Sequence, residues 1–209
     1  MPVYYKIIKV TFAFLCNGMA VSLFILAGFG LDPISVFSAG LANVFHTTVG
    51  MANLGFYFVV IIATFFTDRR YISGATLLSL MIVGPAIDLF TMLFRHVVTP
   101  ESDITIRIVF FVMACLSLAF AVALYLSVHF GISAADMIPV IVSEKANLQF
   151  RWCKVTFDIS LILIGIPLGG SFGAGTIIAG IITGPMIQFF RKKLEKRNEE
   201  NERKRNGKR

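Results

Sequence analysis

The stretch Gly74-Ala-Thr-Leu-Leu-Ser-Leu-Met-Ile-Val-Gly84-Pro85-Ala-Ile-Asp88-Leu-Phe90 decides the fold, because its pattern returns later in the chain. The second copy is Ala174-Gly-Thr-Ile-Ile-Ala-Gly-Ile-Ile-Thr-Gly184-Pro185-Met-Ile-Gln188-Phe-Phe190. Aligned without a gap, Thr76 matches Thr176, Gly84-Pro85 matches Gly184-Pro185, Ile87 matches Ile187, and Phe90 matches Phe190. Repetition at a fixed spacing indicates duplicated structural units. The sequence therefore predicts two homologous halves, residues 1–104 and 105–190, followed by a tail, residues 191–209.

The composition is typical of a membrane protein. The chain is 56% hydrophobic and 15% charged, with a mean hydropathy of +0.80, and a soluble domain could not bury so much apolar surface. Of the net charge of +7, the tail alone carries +6, from ten Lys/Arg and four Glu. A nucleic-acid-binding protein spreads such charge over a folded face. The lipid bilayer is thus the expected partner, the tail could attract anionic lipid, and no nucleic acid is expected.

Apolar runs separated by polar or glycine-rich breaks predict the helices. Six runs approach the roughly 20 residues that span a bilayer: 7–29, 50–66, 72–94, 105–129, 153–168 and 174–190. Two stretches of 16 residues, 34–49 and 133–148, are too short to span comfortably and too apolar for free loops. We therefore expect an all-α polytopic membrane protein, each half holding three transmembrane helices plus one short or re-entrant helix.

The distribution of Lys and Arg predicts the orientation, because cytoplasmic loops are enriched in basic residues. With three spans per half, one side gathers Lys6, Lys9, Arg69, Arg70, Lys145, Arg151, Lys154 and the tail. The other side holds only Arg95 and Arg107. Both termini are then cytoplasmic and the second half is inverted, as in many secondary transporters. If the short stretches also span, there are eight spanning helices and a parallel repeat, an alternative that the sequence leaves open.

Charged residues within apolar segments are costly and are therefore functional candidates. The candidate transport pathway consists of Asp32, Pro85, Asp88, Asp136, Asp158, Pro185 and Gln188. Asp88 follows Pro85, which removes a helix hydrogen bond, and Gln188 is its repeat mate. Asp32 and Asp136 lie near the starts of the short stretches, where either carboxylate could instead cap a helix. Asp158 lies one turn from Lys154, so these two charges could simply neutralise each other.

The sequence contains no motif for an enzyme, a metal or a cofactor. Cys16, Cys115 and Cys153 have neither disulfide nor metal-ligand spacing. The three histidines lack zinc-protease spacing, and the glycine-rich turn at 169–176 lacks the lysine of a phosphate-binding loop. We therefore expect a protein that is not an enzyme and that binds no cofactor or metal.

The repeat, the break Gly30-Leu31-Asp32-Pro33 and the glycine-rich elements at 173–185 together resemble the bacterial YczE/YitT family of multi-spanning membrane proteins. The resemblance covers residues 7–190 and departs at Ser133-Ala134, where the first half has Asp32-Pro33. It implies a bacterial plasma-membrane location and brings no activity with it.

Two functions fit these observations. The first is a small-solute transporter of unknown substrate, whose halves rock about a central site. The second is a non-transporting membrane partner or regulatory protein that acts through its helix faces or its cytoplasmic tail, and a homo-oligomer is compatible with either.

Overall fold

The computed structural model describes residues 3–99, 102–128, 130–148 and 150–206, and within them every regular element is helical. The α-helices are α1 (Val3–Ala27), α2 (Pro33–Phe45), α3 (Val49–Thr67), α4 (Gly74–Phe94), α5 (Ile104–Val128), α6 (Ala134–Lys145), α7 (Phe150–Gly165) and α8 (Ala174–Asn206). A short 3₁₀ turn, Arg69–Tyr71, links α3 to α4. The prediction of an all-α protein is thus confirmed.

Four helices in the described part of the chain are long and apolar enough to cross a membrane: α1, α3, α4 and α5. The apolar helix α2 is shorter, with 13 residues. Large apolar side chains on the outer faces, such as Phe66 at 82% exposure and Met81 at 71%, suit contact with lipid rather than water. These features confirm the membrane class.

The antiparallel pair α1 and α5 forms the centre of the molecule. Near the middle, the Ser117 hydroxyl of α5 donates to the Cys16 carbonyl of α1 at 3.0 Å. Near the end of α1, Arg107 Nε donates to the Ala27 carbonyl at 2.8 Å. The start of α5 therefore lies beside the end of α1. On the outside of this pair, α4 packs against α1 and α8 packs against α5.

The loop between α1 and α2 lies on the start of α8. The Leu31 amide donates to the Ser171 carbonyl at 3.2 Å, and the Gly175 amide donates to the Phe29 carbonyl at 2.8 Å. Gly30 has a φ of 117°, which only glycine adopts readily. A side chain at Gly30 would also overlap the start of α8.

The loop between α5 and α6 lies on the start of α4 in the corresponding way. The Thr76 hydroxyl donates to the Ile132 carbonyl at 2.7 Å. Ser73 and Thr76 also form a reciprocal capping box that satisfies free amides of α4. Gly131 has a φ of 129°, and a Cβ there would overlap the Ser73 side chain. Each half therefore places a glycine loop on a helix start of the other half.

Most helix boundaries differ from the sequence-based expectation by one to four residues, and the end of α8 differs by 16. The first helix begins at Val3 rather than near residue 7. The last helix does not end with the apolar run at 190 but continues to Asn206, because the tail contains good helix formers and an Arg191–Glu195 pair at 2.7 Å. Residues 207–209 of the predicted tail lie outside the described residues.

Candidate functional site

Lys154 of α7 joins two carboxylates. Its Nζ lies 2.8 Å from Asp158 Oδ1 on the same helix and 3.3 Å from Asp136 Oδ1 on α6. The three side chains are only 20–28% exposed, so water screens them weakly. The pairing of Asp158 with Lys154 considered from the sequence is confirmed. The approach of Asp136 to the same ammonium group adds a second helix to the site.

Asp136 is not the cap of its helix. The Ser133 hydroxyl takes that position and accepts from the Ala135 amide at 3.4 Å, so a capping role for Asp136 is wrong. The Asp136 carboxylate is instead free to accept a hydrogen bond from the Tyr125 hydroxyl of α5. Asp136 therefore links α5, α6 and α7.

Asp32 is the N-cap of α2, as considered from the sequence. Its Oδ2 accepts from the Ser35 amide at 3.3 Å, which satisfies a free donor of the first turn. Its Oδ1 is buried and has no hydrogen-bond partner among the residues that the structure describes. Lys154 lies within electrostatic range of this carboxylate. Asp32 thus combines a structural contact with one unused oxygen, within electrostatic range of the same lysine.

Two side chains of α3 complete the site. Tyr57 is 3% exposed, lies within electrostatic range of Asp32 and Asp136, and has the Asn53 side chain beside its hydroxyl. Asn53 is 2% exposed, and its Nδ2 donates to the Ser38 hydroxyl of α2 at 3.3 Å. Its Oδ1 has no hydrogen-bond partner within the described part of the chain. Such orphan acceptors are uncommon in protein interiors.

We name the central polar cluster by its seven members: Asp32, Asn53, Tyr57, Tyr125, Asp136, Lys154 and Asp158. It contains three carboxylates but one ammonium group, so its fully ionised form has two negative charges in excess. Carboxylates held close together in a poorly solvated place repel one another and favour the uptake of positive charge. The composition of the cluster therefore suits a proton or another small cation.

Asp88, by contrast, serves the packing of two helices. The Thr48 hydroxyl donates to Asp88 Oδ2 at 2.6 Å, and the Gly50 amide donates to Asp88 Oδ1 at 3.0 Å. These contacts fix the start of α3, where amide groups are free, to the middle of α4. The contacts of Asp88 are therefore those of a packing network between α3 and α4.

The remaining predicted pathway residues lie apart from the cluster. Gln188 is exposed on α8, and Pro85 and Pro185 are exposed within α4 and α8. The structure thus brings together Asp32, Asp136 and Asp158 and leaves the other four outside.

Sequence reasoning missed the tyrosines and Asn53. One signal could have found part of the set: Asn53 and Tyr57 are four residues apart in an otherwise apolar span, so they share one helix face. Tyr125 carries no such signal, because its partner Asp136 is contributed by another helix.

A separate cavity of about 230 Å³ lies between the ends of α1 and α2 and the α7–α8 turn. Its lining is mostly apolar or glycine: 24–25, 28–31, 39, 49 and 171–173. It touches none of the carboxylates of the cluster, although Leu31 in its wall precedes Asp32. The chemistry therefore lies in the cluster and not in the cavity.

The α3–α4 link carries polar contacts outside the spanning helices. Hydrogen bonds from Arg70 hold the pKa of Asp68 at about 2. The Tyr71 hydroxyl donates to Glu144 Oε2 of α6 at 2.5 Å. This contact places the basic α3–α4 link beside the end of α6.

Among the described residues, no three His, Cys, Asp or Glu side chains are grouped to hold a metal ion.

Comparison with known proteins identifies the family. Residues 4–192 match a family of unknown function, DUF6198. An uncharacterized protein of Haemophilus influenzae is 28% identical over 187 residues, covering 89% of this chain and 84% of the relative. The uncharacterized membrane protein YczE of Bacillus subtilis is 24% identical over 160 residues, covering 77% of this chain and 73% of YczE. No solved structure matches. The predicted resemblance to a YczE-like family is confirmed by this relative, and the chain belongs to DUF6198, a family of unknown function.

Proposed function

We propose that this protein is a small-solute transporter of the bacterial plasma membrane and that the central polar cluster is its site. The observation that carries the proposal is Lys154, held between Asp136 and Asp158 while Asp32 keeps an unused buried oxygen nearby. Ionisable groups within a membrane protein are retained for ion or substrate pathways. No enzymatic chemistry is needed to explain this arrangement, and we propose that the protein is not an enzyme.

The two halves are inverted in this proposal, with six spans, two short helices and both termini in the cytoplasm. The antiparallel contact of α1 with α5 supports it, because eight successive spans would make these helices parallel. The exchanged glycine loops at Gly30 and Gly131 support it as well. So do His46, the cap at the end of α2, and Asn147, one residue beyond the cap of α6, which have similar positive φ values of 51° and 52°.

Both halves of the chain contribute members of the cluster, and this division supports alternating access. Asp32 and Tyr57 belong to the first half, whereas Asp136, Lys154 and Asp158 belong to the second. Rocking one half against the other would change the distances across the cluster. Lys154 could then exchange its present partners for Asp32, so that binding of positive charge and helix movement become coupled.

Transport can be tested with the full chain in liposomes adsorbed on a solid-supported membrane. Amino acids, sugars, organic anions and amines are applied as solute classes, and charge displacement is recorded. At least one class should produce a protein-dependent current that Asp136→Asn abolishes. The matched control Asp68→Asn removes a carboxylate outside the cluster and should retain the current. A full current in Asp136→Asn would remove the cluster from the mechanism.

A non-transporting partner protein is the second candidate, and the outer face of α8 favours it. Gly180 and Gly184 have the spacing of a helix-packing motif, yet no described atom of another helix would touch a Cβ at either position. Gln188 is exposed on the same helix. A second copy of the chain could pack there and form a homo-oligomer. Disulfide trapping of a Gly184→Cys variant in membranes tests this contact: a dimer without any solute-driven current supports the second candidate, and a solute-driven current supports the first whether or not a dimer forms.

The basic tail is proposed to lie at the cytoplasmic surface. Eight of its ten basic residues lie on α8, which continues to Asn206, and the basic residues of the tail would attract anionic lipid by about 1 kcal/mol for each residue near the surface. Lipid extraction from the purified protein should then show enrichment of anionic lipid that is lost when residues 192–209 are deleted.

A further inference from the structure

We infer that the first-half side of the central polar cluster binds one small monovalent cation, an alkali metal ion or a small protonated amine. This inference deepens the proposed function, because it names the charge that the site accepts. The candidate ligands are oxygens of Asp32 at the start of α2 and of Asn53 and Tyr57 on one face of α3.

Two unpartnered oxygens point to a ligand. Asp32 Oδ1 and Asn53 Oδ1 are buried acceptors that no described residue satisfies. Asn53 is 2% exposed and therefore cannot obtain a hydrogen bond from bulk water. Both residues lie by Tyr57, whose hydroxyl has Asn53 beside it and Asp32 within electrostatic range. A cation in this place would use acceptors that otherwise lose their water without compensation.

The charges of the cluster point to the sign of the ligand. Lys154 neutralises one of the carboxylates, and its two direct contacts are to Asp136 and Asp158 on the second-half side. Asp32 makes no described ion pair within 4 Å, so its carboxylate, when ionised, has no directly contacting cation on the first-half side. An anion would be repelled there, whereas a cation would be attracted by the carboxylates of Asp32 and Asp136.

The chemistry of the ligands points to a monovalent ion. A carboxylate, an amide oxygen and a phenol hydroxyl are hard oxygen donors, which suit alkali metal ions and ammonium groups. A divalent ion usually has several carboxylates in contact, and among the described residues no three His, Cys, Asp or Glu side chains, the three carboxylates of the cluster included, are placed to hold a metal ion together.

Binding can be measured without transport. Thermal unfolding of the purified full chain, followed by Trp152 fluorescence, is recorded in sodium, potassium or methylammonium chloride. Choline chloride, whose bulky quaternary cation has no N–H group to donate, keeps the ionic strength constant. At least one small cation should raise the melting temperature with saturation. Asp32→Asn should weaken its apparent affinity by roughly tenfold to a hundredfold, the usual range for loss of a charged contact.

Asn53→Leu provides a second variant that keeps the charge and removes the amide ligand, and it should also lower the affinity. Asp68→Asn is the matched control and should respond as the wild type. The inference is overturned if no small cation exceeds choline, or if Asp32→Asn and Asn53→Leu both keep the wild-type response. Saturable binding without any solute-driven current would preserve this inference and contradict the transporter. A solute-driven current without saturable cation binding would support the transporter and contradict this inference.

Discussion

The helix pairs α3–α4 and α7–α8 occupy corresponding places in the chain but pack differently. In the first pair, Gly84 lies so close to Gly50 that a Cβ at Gly84 would be 2.6 Å from the Gly50 carbonyl oxygen. Asp88 then joins the start of α3 to α4. In the second pair, Gly184 faces no described neighbour within 4 Å, and Gln188 is exposed. The same sequence pattern, Gly-Pro with a polar residue three positions after the proline, therefore lies in a tight helix–helix contact in α4 and on an exposed surface in α8.

The two helix pairs differ because α7 makes its contacts with other helices. It packs against α2 and α6 rather than forming a tight pair with α8. In that position Lys154 and Asp158 reach the central polar cluster, to which α4 contributes none of the seven members. Both α3 and α7 thus contribute to the cluster, but only α3 also forms a tight pair with the helix that follows it.

The largest effect is expected from enlarging the two glycines. Gly84→Leu should destabilise the protein by about 3 kcal/mol or prevent its folding, because the added side chain would overlap α3. Gly184→Leu should be tolerated, since the new side chain would meet lipid. Melting temperature and monodispersity in detergent measure both. An equal loss of stability in the two variants would show that α8 is covered by a partner at Gly184. It would contradict the difference in packing between the pairs α3–α4 and α7–α8.

The glycine loops should behave alike, in contrast to the helix pairs. Gly30→Ala and Gly131→Ala each force a residue with a Cβ into a positive φ and against the opposite half. We expect a loss of about 2 kcal/mol for each variant, from backbone strain and overlap. Denaturant or thermal unfolding tests this pair. A large effect at one loop alone would contradict the correspondence of the two contacts.

A moderate effect is expected for Asp88→Ala. It removes both contacts with Thr48 and Gly50 and leaves the start of α3 without its partner, at a cost of about 1.5 kcal/mol. Gln188→Ala should change stability by less than about 0.5 kcal/mol, as exposed substitutions do. If Asp88→Ala instead keeps full stability and abolishes transport, Asp88 belongs to the pathway and not to the scaffold.

The smallest effect is expected for Asp68→Asn on the α3–α4 link. The Arg70 side chain that pairs with Asp68 is 83% exposed, so the ion pair contributes little. Because the pKa of Asp68 is lowered to about 2, its contribution is present above the ordinary pKa and is lost as the pH falls toward 2. The melting temperatures of variant and wild type should differ slightly at pH 7 and converge at pH 2. A difference that grows at low pH would contradict this assignment.

Much of the fold could be predicted because apolar runs determine helices directly. The run at 72–94 corresponds to Gly74–Phe94 and the run at 105–129 to Ile104–Val128. The extension of α8 could not be predicted from hydropathy, because its end is made of charged helix formers that continue an existing helix. The division into two halves remains a prediction from the repeated pattern.

The site could be predicted only where the partners are close in sequence. Asp158 and Lys154 are four residues apart, so their pairing was visible in advance. Asp88 and Thr48 are 40 residues apart, and nothing local distinguishes a carboxylate that caps a distant helix from one that lines a pathway. The approach of Asp136 to Lys154 likewise depends on how α6 packs against α7.

The central claim, that two halves of opposite orientation meet at the cluster, is tested most directly by cysteine accessibility in intact cells. Single cysteines replace Asp68, Thr99 or Ser171 in a background without Cys16, Cys115 and Cys153, and a membrane-impermeant maleimide is applied from outside. An inverted arrangement with six spans predicts labelling at positions 99 and 171, and protection at position 68 until the membrane is permeabilised. Labelling at 68 with protection at 99 would establish eight spans and a parallel repeat, and would contradict it.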